Sequence, residues 1–258
     1  MAIRVMLDDL DLPPPYRAVV LREHRDAFAH ACEIAALAGA GTLVWVRRFD
    51  CLETAVVLEP EEPLETARRA IYAVLNAAGD ALATYCPPEK PLLFAWPDTI
   101  LLDGGIIGGV RLAWPEETAE RDVPDWLVAG LVLRLILPHQ HVGAATGHAL
   151  DVRLSRGTSL DVEGVELLDA ASIIGSFARH LMMQFDRWQE AGFESVGQAF
   201  VSRLGPELRL DAAIDGAGDL VARIVDGVAV TDRVGPRSLR DALREPHWRD
   251  PSTGEPWL

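Results

Sequence analysis

Residues 94–115 read FAWPDTILLDGGIIGGVRLAWP, and how they are read decides the fold. An apolar run reaches Trp96, breaks at Pro97-Asp98 and resumes over 99–102, then turns through Asp103-Gly104-Gly105 and returns over 106–112. Proline removes a ladder donor and restricts the residue before it, so Trp96-Pro97 predicts an edge, a bend or a pocket wall. Asp-Gly between two apolar runs signals a hairpin, so 106–112 is expected to run antiparallel to 99–102, with 92–96 a further strand.

Moving toward the N-terminus, Pro87-Pro88 closes a long amphipathic helix whose stripe is Leu64, Ala67, Ile71, Leu75, Ala78 and Leu82. Before it, strands are expected over 42–46 and 53–58, joined by the charged link 47–50, and Asp26 caps a helix over 27–38 that stops at Gly39. Residues 1–24, with Leu12-Pro13-Pro14-Pro15-Tyr16 inside them, predict an extended lead-in. Toward the C-terminus, the apolar segment 126–137 suits a buried strand or hairpin, and 138–164 reads mostly as loop. Asp169 then starts a helix with the stripe Ile173, Phe177, Leu181, Phe185 and Trp188, ended at Gly192, and a short helix follows through Val196 and Phe200. After residue 205 the pattern changes to short strands at 208–214, 220–225 and 228–234. They are separated by Asp215-Gly216-Ala217-Gly218 and the hairpin signal Asp226-Gly227, which predicts a small antiparallel module.

With 258 residues, 49% of them hydrophobic, the chain can build one large domain and a small appendage. No targeting segment or membrane-length apolar run is present, and Cys32, Cys51 and Cys86 have no metal-like spacing, so a reduced, cytoplasmic protein without a membrane partner is expected. A net charge of −15 sets nucleic acid aside as a partner. Of the 24 basic residues, Lys90 is the one lysine, so any lysine-dependent chemistry must use it, and a phosphate-cradling Gly-Lys-Ser/Thr loop is excluded.

The order helix, strand, strand, long helix, Trp-Pro-Asp strand, Asp-Gly turn and Gly-Gly-Val strand resembles the catalytic domain of the biotin/lipoate protein ligase family, over about residues 25–205. Ala95-Trp96-Pro97-Asp98-Thr99 stands for the family's Lys-Trp-Pro-Asn-Asp, and Ile106-Ile107-Gly108-Gly109-Val110 for its Lys-x-Ala/Gly-Gly-Ile/Val. The strands of 206–258 are similar to the SH3-like domain that follows the catalytic domain in biotin ligases. The resemblance implies an α+β fold with a mixed or antiparallel sheet and flanking helices, like that of class II synthetases, and a small β module behind it. It implies biotin or lipoate as ligand, ATP and Mg as co-substrate, and a biotinyl or lipoyl carrier domain whose lysine accepts the acyl group from an acyl-adenylate.

That chemistry brings two anions together and needs preorganised cations and backbone donors. Here the family's lysine position falls on Ile106, and the arginine- and glycine-rich ligand loop is replaced by Arg47-Arg48-Phe49-Asp50-Cys51-Leu52, which has no glycine. Losing one such donor typically costs roughly 3 kcal/mol in the transition state, so ordinary ligase activity is not expected of this sequence. Two readings stay open: a divergent ligase or acyl transferase, and a non-catalytic acyl-ligand or carrier-domain binding protein. By the same resemblance the candidate ligand residues are Arg47, Arg48, Trp96, Pro97, Asp98, Gly108, Gly109 and Arg111, with Trp96, Gly108 and Gly109 as the cleft wall. Strand termination at Trp96-Pro97 and close backbone packing at Gly108-Gly109 are the plainer alternatives. Asp98 replaces an asparagine of the family's nucleotide site and would repel ATP unless magnesium bridged them. Cys51 is a nucleophile only if Arg47 or Arg48 lowers its pKa. His139, His141, His148 and Asp151 form either a metal cluster or a plain loop.

Overall fold

In the computed structural model, which describes residues 10–137, 157–165, 169–225, 228–231 and 234–257, the hairpin of the quoted stretch lies one strand in from the edge of a larger sheet. In chain order the first elements are β1 (Arg17–Leu21), α1 (Ala27–Ala38), β2 (Thr42–Val46), β3 (Cys51–Leu58), α2 (Leu64–Ala67) and α3 (Ala70–Ala83). The hairpin region supplies β4 (Leu92–Ala95), β5 (Thr99–Leu102) and β6 (Gly105–Ala113), followed by β7 (Leu127–Arg134), α4 (Ala170–Ala191) and α5 (Phe193–Ser202). The chain continues through α6 (Pro206–Arg209), β8 (Ala212–Ile214), β9 (Leu220–Ala222), β10 (Ile224–Val225), β11 (Val228–Ala229) and α7 (Leu239–Ala242).

Seven strands form one sheet in the order β1-β2-β3-β7-β6-β5-β4, parallel at β1/β2 and antiparallel elsewhere. Side chains alternate between its faces. Leu43, Trp45, Leu52, Val56, Ile107, Val110, Leu131 and Leu133 join the core beneath α3, α4 and α5. Because α3 is enclosed by the sheet and by α4 and α5, 12 of its 14 residues are buried, including Asn76, whose Nδ2 donates to Val196 O at 3.0 Å. On the opposite face α1 covers only half of the sheet, packing Ala27, Ala31 and Ala35 on Val44, Val46, Ala55, Val57 and Val128.

Three expectations are corrected. Residues 17–21, expected as part of an extended lead-in, are an edge strand, paired with β2 from Arg17 against Thr42 to Leu21 against Val46. The long helix is broken at Arg68 and Arg69 into α2 and α3, with Arg69 Nε donating to Thr66 O at 2.9 Å across the break. In the C-terminal region Leu208 lies in α6, and the strands are two separate two-stranded ribbons, β8-β9 and β10-β11, whereas Ala212, Leu220, Val234 and Leu239 join the main core. Asp226-Gly227 lies outside the described residues. Among the described residues no helix is long and apolar enough to cross a membrane.

Candidate functional site

The sheet register places a defined set of side chains on the half-face that α1 leaves open. Gly109 and Arg111 of β6 stand opposite Val132 and Gly130 of β7, and Cys51 and Glu53 of β3 stand opposite Arg134 and Val132. Alternation therefore gives Gly109, Arg111, Val132, Arg134, Cys51 and Glu53 one common face. The N-terminus of α1 reaches its rim: Asp26 caps Ala29 N at 2.8 Å, and Glu53 accepts from Ala27 N at 2.7 Å.

Residues 247–257 cross this face. Trp248 is 1% exposed, lies against Gly109 and donates through Nε1 to Val110 O at 3.1 Å, with Cys51, Val132 and Ile106 completing its apolar surroundings. A Cβ on Gly109 would stand 2.2 Å from Trp248 Cδ1 and 2.2 Å from Asp98 O, so only glycine admits the indole here. His247 N donates to Asp98 Oδ2 at 2.9 Å, and Thr99 Oγ1 donates to Asp98 Oδ1 at 2.8 Å. Farther along the segment, Arg134 donates to Pro256 O at 2.6 Å. Arg48 donates through Nη1 to Glu255 at 2.9 Å and grips Asp50 through Nε at 3.0 Å and Nη2 at 2.8 Å, with Glu53 at 3.5 Å. The segment also braces itself, with Asp250 N donating to Glu255 O at 2.8 Å and Trp257 N to Trp248 O at 3.0 Å.

The chain's own carboxylates thus pair with Arg48 and Arg111 on this face. Arg48 serves three of them, and Arg111 pairs with Asp26 at 3.0 Å while lying 4.0 Å above the Phe28 ring. Burial alone would raise the Asp50 carboxyl, but the Arg48 hydrogen bond and charge outweigh it and hold the group below the usual range. At Cys51, burial first and then the nearby Asp50 and Glu255 charges push the thiol far above its ordinary value. Desolvation also raises Glu53. Beside Arg48 a cavity of about 390 Å³ remains open, lined by Glu23, His24, Arg25, Arg48, Phe49 and Asp50.

The imidazole Nδ1 of His247 also lies 3.4 Å from Asp98 Oδ2, and this side-chain hydrogen bond raises the pKa of His247. The native pKa lies above the unfolded one, so this pair's contribution is fully present below about pH 6.5 and is lost as pH rises through the raised value. Backbone hydrogen exchange at 247–257 is therefore expected to be slower at pH 6 than at pH 8 after correction for intrinsic rates. His247→Gln should remove that difference, and an unchanged pH profile in the variant would contradict the assignment.

The residue pattern and the sheet geometry agree with the comparisons. The family model "Biotin/lipoate A/B protein ligase family" matches residues 12–202. This chain is a member of that family. Among solved structures it is similar to a biotin protein ligase-like protein of unknown function from Silicibacter sp. TM1040, at 23% identity and a TM-score of 0.73, covering 92% of this chain and 100% of that one. It is also similar to the biotin protein ligase of Aquifex aeolicus in complex with biotin and ATP, at 13% identity and a TM-score of 0.58, covering 86% and 95%. The Leishmania major biotin protein ligase in complex with biotin matches at 16% identity and a TM-score of 0.54, covering 88% and 99%. No curated protein matches the sequence.

Relative to the family positions, the structure groups Arg48, Asp98, Gly109 and Arg111 around one face and separates the others. Arg47 lies over the Trp45 ring at 5.4 Å. Trp96, expected in the cleft wall, turns to the helical side, where its Nε1 donates to Tyr72 Oη at 2.9 Å and Tyr72 Oη donates to Gly218 O at 2.6 Å. Pro97 is buried, and its role is to lead into Asp98, whose carbonyl accepts from Val110 N at 2.9 Å. Gly108 meets β7 with its backbone. In the lysine position, Ile106 packs on Trp248 and its neighbours, while Lys90 is paired with Glu163 at 2.5 Å and Asp103 at 3.7 Å. The Cys51 nucleophile is corrected: its Sγ is buried and donates to Glu255 Oε2 at 3.4 Å. His139, His141, His148 and Asp151 lie outside the described residues.

ATP and Mg do not fit these residues. Asp98 is 1% exposed with both oxygens already accepting, and the face's arginines are engaged internally, Arg48 with Asp50 and Glu255, Arg111 with Asp26 and Arg134 with Pro256 O. Glu53, Arg134 and the 247–257 segment are not among the site residues expected from the sequence. The segment's signal was available in the two tryptophans, Trp248 and Trp257, flanking the turn-forming Asp250-Pro251-Ser252-Thr253-Gly254.

Proposed function

We propose that this family member binds a free carboxylic acid with an apolar body, of the biotin, lipoate or octanoate kind, and does not adenylate it. The observation that carries this reading is Ile106 in the lysine's place, packed on Trp248, beside an Arg48 already shared by three carboxylates. A phosphoryl-bearing intermediate needs surplus cationic donors. A monoanionic acid needs one, and Arg48 supplies it when Glu255 leaves. The apolar body then lies on Gly109, Val132 and Ile106, where the indole now sits. The solved neighbours hold biotin, or biotin and ATP, on the same fold, which supports the acid and leaves the nucleotide to be tested.

The test is calorimetric titration of the protein and of its Trp248→Ala variant with biotin, lipoate and octanoate, with and without Mg-ATP. Binding of at least one acid, with affinity unchanged by Mg-ATP, is expected. Tighter binding of a non-hydrolysable acyl-adenylate than of the acid would overturn the non-adenylating reading, and no binding to either protein would overturn the ligand.

A further inference from the structure

We infer that residues 247–257 are a built-in, displaceable occupant of the ligand face, with Trp248 in the place of a ligand's apolar body and the Glu255 carboxylate in the place of its acid. The inference rests on the acyl-ligand reading for what enters, but the device itself stands on geometry. The segment touches the face with the chemistry an acyl acid would use: an apolar ring on Gly109, a carboxylate on Arg48 and Cys51, and a carbonyl on Arg134. Only Trp248 and Pro256 of the segment are buried, and 251–253 are exposed. It adds no strand to the sheet and is closed on itself by Arg249 opposite Pro256, so it can leave as a unit without breaking a sheet ladder.

It is also an imperfect filler. Arg134 is 2% exposed, and among the described residues its Nε finds no acceptor; the same holds for Nε of Arg111 on the same face. A buried donor left unmet is costly, so a ligand with acceptors there gains what the segment does not. Burial first, and then the charge of the segment's Arg249, disfavour the charge of the Arg111 guanidinium, which Asp26 supports. Displacement thus relieves a like-charge approach while exposing Arg48 and Arg134 to the incoming anion. Apparent affinity is then reduced by the fraction of molecules in which the segment is away.

Cys51 reports the opening, because it is 0% exposed under Glu255 and Trp248, whereas Cys32, on α1 at the rim of the face, and Cys86 are only half-buried. In the full chain, iodoacetamide alkylation of each cysteine is followed by peptide mass mapping, for the native protein, Glu255→Gln and Trp248→Ala. The expected result is a Cys51 rate at least ~10-fold faster in Trp248→Ala, where the Glu255 charge remains, and several-fold faster in Glu255→Gln after correction for the thiolate that loss of the Glu255 charge itself releases, with Cys32 and Cys86 within about two-fold of native, and acid affinity rising by the same factor as Cys51 opening. Cys51 as slow in both variants as in the native protein would overturn the inference, as would all three cysteines accelerating together in the gentler Glu255→Gln. Selective Cys51 opening without binding of any acid would uphold the displaceable segment and remove the acyl-ligand reading.

Discussion

Gly108→Ala is expected to cost more than ~4 kcal/mol, a large share of the roughly 5–15 kcal/mol that stabilises a typical domain, and so to abolish accumulation of folded protein. At φ +150° the added Cβ would stand 1.9 Å from Val132 O and 2.8 Å from Val132 C, both backbone atoms of β7. Neither can yield without separating β6 from β7, the pair that carries Gly109 and Val132. Gly104→Ala isolates the conformational part, because that glycine has φ +86° with nothing within 4 Å of the added Cβ. It should cost only about 1–2 kcal/mol. Thermal melts followed by circular dichroism check the pair; a Gly108 variant as stable as the Gly104 variant would contradict the packing described.

Phe200→Ala is expected to cost roughly 3–5 kcal/mol, on the order of a 10 °C loss in Tm. Phe200 is 0% exposed, 4.6 Å from the Tyr72 ring and 5.4 Å from the Phe94 ring, and these three tie α5 to α3 and β4. Its effect should be confined to the helical side of the sheet at temperatures below the melt, leaving Cys51 alkylation at the native rate. A smaller experiment addresses the other face: Asp26→Ala removes both the α1 cap and the Arg111 partner and should cost about 1–2 kcal/mol in urea unfolding.

Where pattern alone fixes local structure, the sequence was legible. Asp26 and Gly39 bound α1, Asp169 and Gly192 bound α4, and Thr42–Val46 and Thr99–Leu102 form as their β-branched and apolar content requires. Trp-Pro-Asp and Gly-Gly-Val located the hairpin and with it the family. What failed did so for tertiary reasons. RAVVL carries a short strand signal in Val19-Val20-Leu21, but it is a half-exposed edge strand that follows a run of prolines, and only pairing with β2 fixes it. Trp96 obeys the core on the helical side, where Tyr72 offers its indole a partner, so a motif residue expected in the cleft became an anchor. The site itself was half legible: Arg48, Asp98, Gly109 and Arg111 are local to motifs. Their occupant comes from 204 residues farther along the chain in the Cys51–Glu255 contact, a distance no spacing rule spans.

The most direct measurement is ATP–pyrophosphate exchange with the intact protein and with Trp248→Ala, in Mg-ATP and each of biotin, lipoate and octanoate. With Ile106 in the lysine's place and the arginines of this face committed to internal acceptors, no exchange above the acid-free blank is expected from either protein, even where an acid binds. Acid-dependent exchange in either would contradict the non-adenylating reading and restore the chain to the family's ligase chemistry.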